Sequence, residues 1–184
     1  MIGGSVSYAV NAPVLGEGMT PLNWNGSEWV NTTESNWDYN YNSVATATHS
    51  SVAGNGDGKW ANALAGNAKQ YVWIPRYTYK ITSGEHSSGN SWNNLDDPGT
   101  NKIEIKFSNG TLDDTTDGYK SHPAFTFGED QLTGIWVAKY EASIPDASID
   151  LVSDGGSLQF TSGVEALTGI TASDMFDRAY NLNR

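Results

Sequence analysis

Residues 70–81, QYVWIPRYTYKI, set four large aromatics and a proline within a dozen positions. Read as an extended strand, they place Tyr71, Trp73, Tyr77 and Tyr79 on one face. Val72, Ile74, Arg76, Thr78 and Lys80 fall on the other. Either the aromatic face binds a ligand or it is the interior of the domain. The reading adopted is burial: Trp73 nearly inaccessible to water, with Val72 and Ile74 also substantially covered.

Composition supports that choice. The hydrophobic fraction of the 184 residues is only 38%, yet the chain holds 7 Trp, 9 Tyr and 5 Phe. A buried aromatic removes roughly 150–250 Å² from water, so a few rings replace many aliphatic side chains. Chains that stay unfolded are poor in such residues. A length of 184 residues gives one domain, or one with an appendage.

Charge narrows the partners. Residues 1–58 hold five acids and no Lys or Arg; residues 59–140 hold nine acids and eight bases; residues 141–184 hold seven acids and two bases. With a net charge of −11 so distributed, nucleic acid and anionic membranes are poor partners, because both require clustered cations. No apolar run reaches the length of a membrane span. Cys is absent, which removes disulfides, thiolate nucleophiles and thiolate metal sites. Only 17% of residues are charged, and Asn, Gly, Ser and Thr dominate the polar set. That surface suits a virion or an extracellular or cell-surface location.

The spacing predicts further elements around 70–81. PLNWNGSEWV (21–30) reads as a hairpin turning at Asn25-Gly26, with Leu22 opposite Trp29 and both tryptophans on one side. Residues 31–70 read as loop, as do residues 82–101. KIEIKF (102–107) alternates, with Ile103, Ile105 and Phe107 expected inward and a stop at Asn109-Gly110. HPAFTF (122–127) and LTGIWVAKYEAS (132–143) read as a strand pair. Near the end, Thr171 caps a helix with Asp174 at the third position, an Ile170–Met175 staple, and an apolar stripe of Met175, Phe176, Ala179 and Leu182. The expected class is α+β: mixed, β-rich, with one late helix and long loops. Its expected organisation is an extended arm (1–20), a Trp hairpin with an Asn/Gly-rich loop region (21–69), and a core (70–184).

Searches for chemistry give little. His49, His86 and His122 lack the local spacing of a metal site, so exposed or capping roles are expected. Acids cluster in DDPG (96–99), LDDTTDG (112–118) and GED (128–130). Such oxygen-rich loops are where calcium would bind, but none of these spacings is that of a helix-flanked calcium loop, and solvated turns explain them. No cofactor is expected. GNGDGK (54–59) shares only its glycines with a phosphate loop, and there is no Gly-x-Ser-x-Gly elbow. The remaining candidates are aromatic: Trp24, Trp29, Trp37 and Tyr39, set in Asn-rich sequence as sugar-stacking planes are. Their alternatives are core packing or a seam between subunits.

The segments YVWIPRYTYKI, HPAF, LTGIWVAKYEAS and LTGITASDMFDRAYNLN resemble the first half of the formylglycine-generating-enzyme-like branch of the C-type-lectin fold. The matching positions are Trp73 to Pro75, Pro123 to Phe125, Trp136 to Glu141, and the helix from Thr171. Over about residues 12–184 the chain is also similar to a group of proteins from clostridia-like gut bacteria and their prophages, some with prepilin-like N-termini and others found as virion proteins. The resemblance implies a partial lectin-like core in which the second half of the fold is missing, whether because the natural chain continues or because this one has been cut. The oxidase members of that branch use a copper-binding cysteine pair, and this chain has no Cys, so their activity does not transfer.

These readings give a non-enzymatic structural or adhesion protein: a phage fibre or decoration component, or a bacterial appendage subunit. The expected partners are copies of itself or a larger assembly, with a cell-surface glycan or protein receptor. The alternative is a carbohydrate-binding module acting through Trp24, Trp29, Trp37 or Tyr39. A hydrolase using loop carboxylates ranks last.

Overall fold

Residues 70–81 do not run as one strand. In the computed structural model, which describes residues 10–40, 59–66, 69–83, 102–144 and 158–181, the stretch breaks at Arg76. It forms β4 (Lys69–Pro75) and β5 (Tyr77–Ser83), and the two strands belong to different sheets. Pro75 has no N–H to continue the ladder, and the Arg76 N–H leaves it to bond Thr133 O at 2.9 Å. Trp73 is 4% exposed, as expected, while Val72 and Ile74 are half-buried. Beyond the break the faces exchange roles: Thr78 is fully buried, and Tyr77 and Tyr79 are only partly so.

The other strands are β1 (Met19–Trp24), β2 (Trp29–Asn31), β3 (Asn62–Ala65), β6 (Lys102–Phe107), β7 (Lys120–Ser121), β8 (Thr126–Phe127), β9 (Asp130–Gln131) and β10 (Gly134–Ala138). They form a five-stranded sheet, β10-β4-β3-β1-β2, a three-stranded sheet, β6-β5-β7, and a two-stranded ribbon, β8-β9. The helix α1 (Ala172–Asn181) follows. The protein is thus a strand-rich α+β chain with one α-helix among the described residues. No helix there is long and apolar enough to cross a membrane.

Contacts divide the chain into two units interleaved in sequence. One contains residues 1–14, 38–61 and 73–135; the other contains 15–37, 62–72 and 136–184. In the first, β5 pairs with β6 so that Tyr77, Tyr79 and Ile81 face Phe107, Ile105 and Ile103. Its interior is Trp73, Phe107 and Phe125, with Tyr77 edge-on to Phe125 at 5.3 Å. Arg76 is buried among them with every donor nitrogen used. Nε and Nη2 grip Asp113 at 2.8 and 2.7 Å, and Nη1 donates to Phe125 O and Leu132 O, both at 3.1 Å. The arm residue Asn11 is tied in as well, its amide bridging Gly110 and Thr133 and its carbonyl accepting the Trp73 indole N–H.

In the second unit, β3 pairs with β1 and β4, and β1 pairs with β2. Ala63 has no accessible surface, and Leu22, Asn62, Leu158 and Phe160 are buried with it. At α1, Thr171 Oγ1 accepts the Asp174 N–H at 3.2 Å and donates to Asp174 Oδ2 at 2.7 Å, the expected cap.

Five local expectations need correction. The hairpin turns over Asn25–Glu28 rather than two residues, so Trp24, not Leu22, opposes Trp29. Asn25 Oδ1 collects the Ser27 and Glu28 N–H groups, and this side-chain turn stabilises the longer loop. The expected loop 31–70 contains β3. HPAFTF begins with a 3-10 turn and pairs through Thr126–Phe127 with β9, whereas β10 joins β4. Ile103 is exposed: on its face of β6 burial falls off from Phe107 through half-buried Ile105 to the start of the strand. On α1 the face turned inward carries Arg178, 3% exposed, while Phe176 and Ala179 face water. Leu182, His49, His86 and the acids at 96–97 lie outside the described residues.

Candidate functional site

Strand pairing brings aromatic and polar residues of the second unit together. Trp24 and Trp29 end β1 and begin β2, and because they oppose each other their rings meet at 5.4 Å, tilted by 52°. Trp24 is 52% exposed. Trp29 is half-buried and covers the ammonium of Lys139, whose Nζ sits 3.3 Å from the ring centroid. Lys139 directly follows β10. Its N–H bonds Gln70 O on β4 at 2.9 Å, and its Nζ donates to Asn62 Oδ1 on β3 at 2.6 Å. Desolvation pushes its pKa down to about 8. The carbonyl of Asn62 accepts the Trp37 indole N–H at 3.1 Å, and Trp37 stacks on Trp136, 6.1 Å apart and nearly parallel.

Of the four residues singled out from sequence, three therefore lie in this unit. Trp24 presents an open ring. Trp29 is engaged by Lys139, and Trp37 by Trp136 and Asn62. Tyr39 belongs to the other unit and is half-buried there. Two residues central to the cluster, Lys139 and Asn62, were not among those four. Asn62 stands between two alanines, and nothing in its neighbours marks it as a side chain that a lysine approaches.

In the first unit Leu112 and residues 115–118 of the acidic stretch are exposed, as a solvated turn would be, but Asp113 and Asp114 are half-buried. Burial alone would raise the Asp113 carboxyl. Hydrogen bonds from Arg76, Ser108 and Ser121, with the Arg76 charge, outweigh it and hold the group at about 2. Asp114 pairs with Lys106 at 2.9 Å, and Lys106 also lies 4.0 Å over the Tyr119 ring. These carboxylates are committed to cations of the fold. His122 caps the turn Pro123–Phe125, its Nδ1 accepting the Ala124 N–H at 3.2 Å. Among the described residues no three His, Asp or Glu converge as metal ligands would.

Comparison with family models, with curated proteins and with solved structures returns no match.

Proposed function

We propose that this chain is a non-enzymatic structural or adhesion protein of a phage virion, as a fibre or decoration component, or of a bacterial surface appendage. The observation that carries the reading is apolar side chains left open to water in pairs. On the first unit, Ile81 and Ile103 oppose each other across β5 and β6, both exposed. On the second, Phe176 and Tyr180 stack at 6.2 Å on the outer face of α1, with Phe176 67% exposed. Isolated exposed apolar residues are ordinary, but such pairs favour a protein covered by other subunits. The acidic, cysteine-free surface and the likeness to virion and prepilin-like proteins point the same way. The finer fold reading, a partial C-type-lectin-like core, belongs to this proposal and rests on the segments around Trp73, Pro123, Trp136 and Thr171.

Light scattering on the purified chain tests it. Self-association that weakens in Ile103→Lys or Phe176→Lys is the expected result; a monomer at every concentration that also ignores virions and cell envelopes counts against it. A second reading, carbohydrate binding, is favoured by the open Trp24 ring braced on Trp29. A glycan array separates the two: binding lost in Trp24→Ala with unchanged stability supports the module, and a silent array ends it.

A further inference from the structure

We propose that Lys139 and Asn62 become joined by an isopeptide bond formed between their own side chains, stapling the segment after β10 to β3 across β4. The geometry carries the inference. Nζ lies 2.6 Å from Asn62 Oδ1. At an ordinary hydrogen-bond angle this leaves Nζ about 3.4 Å from the amide carbon, the distance of a near-attack conformer, and a turn about the Asn62 Cβ–Cγ bond brings the amide face toward it. Both backbones are anchored. Asn62 is 4% exposed, stands in the β3 ladder between Leu22 and Val72, and has its carbonyl held by Trp37. Lys139 is anchored through its N–H to Gln70 O, and the Trp29 ring closes over its Nζ.

An ammonium cannot attack an amide, so the lysine must lose its proton. Lys139 has no ion pair among the described residues to hold that proton. Its pKa, lowered to about 8 by desolvation, leaves about a tenth of the population neutral at pH 7. The neutral Nζ adds to Cγ of Asn62, and the Nζ–Cγ bond forms. One Nζ proton passes to Nδ2, the Cγ–Nδ2 bond breaks, and ammonia leaves. Nothing is oxidised or reduced, and no co-reactant is required. In a chain without cysteine the product is a covalent cross-link that a disulfide cannot supply.

Mass spectrometry of the purified, full-length chain tests the bond. After incubation above pH 8, the expected intact mass is lower than the sequence mass by one ammonia. Trypsin should then fail to cut at Lys139, and the free peptide 60–69, which contains Asn62, should disappear into a branched species with peptide 121–178. Lys139→Arg and Asn62→Ala should restore the sequence mass and linear peptides, with circular dichroism reporting their folding. The wild-type peptide map decides even where a variant misfolds. An unchanged mass overturns the proposal. So does an ammonia loss that persists in both variants with peptide 60–69 still linear, the signature of succinimide at an Asn-Gly pair such as Asn25-Gly26.

Discussion

Adding a single methyl group at Gly134 should be among the most damaging changes in the first unit. A Cβ there would lie 2.2 and 2.5 Å from Cζ2 and Cε2 of Trp73 and 2.8 Å from the carbonyl oxygen of Ile74, where ordinary contacts begin near 3.4 Å. The backbone at Gly134 is not left-handed, so the effect is steric alone. Relief requires the indole to move by more than an ångström. Trp73 is buried, and its Nε1–H donates to Asn11 O at 3.3 Å, so the movement also strains that bond. Overpacking costs about 1–3 kcal/mol and a lost hydrogen bond about 1 kcal/mol. Gly134→Ala should therefore lower stability by about 2–4 kcal/mol, a large share of the roughly 5–15 kcal/mol of an ordinary domain. Urea titration followed by tryptophan fluorescence measures it. In a Trp73→Phe background the smaller ring frees the space, so the same substitution should cost less by about 1–3 kcal/mol. A change within about 0.5 kcal/mol of the parent, or an equal cost in both backgrounds, refutes this packing.

Four further outcomes are expected. Asp113 has a folded pKa below its unfolded one, so its contribution is present above about pH 4 and lost as pH falls toward 2; it is worth roughly 2 kcal/mol, and acid titration of Asp113→Asn should show a flatter slope than wild type. Arg178 is buried and, among the described residues, none of its guanidinium nitrogens is hydrogen-bonded, so Arg178→Met should stabilise the isolated chain by at least about 1 kcal/mol, read as a higher melting temperature. Thr171→Ala removes the cap of α1 and should cost about 1 kcal/mol locally, seen as faster amide exchange across Ala172–Asn181. Trp37→Ala should destabilise by about 3 kcal/mol or more because its ring is stacked and hydrogen-bonded, whereas Trp24→Ala should leave the urea midpoint nearly unchanged.

Where alternation or capping signals were strong, the sequence was legible: β6, the buried Trp73 and the Thr171 cap follow from local pattern alone. β3 was not legible because NALA has no β-branched or aromatic residue. It is a strand because β1 and β4 pair with it on both sides, a tertiary demand that no local propensity reports. The break at Arg76 was hidden for a related reason. Arginine in a strand reads as solvent-facing until its carboxylate is known, and that partner, Asp113, is 37 residues away in what looked like a polar turn. The aromatic site was half legible. Trp24 and Trp29 announce their hairpin, but the approach of Lys139 to Asn62 spans 77 residues and exists only once β4 separates β3 from β10.

The measurement that bears most directly on the proposed role is immunogold electron microscopy of the native source with antibodies to this chain. The account predicts gold on virion particles or on filaments projecting from the cell envelope. Gold confined to the cell interior, away from any particle or appendage, would contradict it.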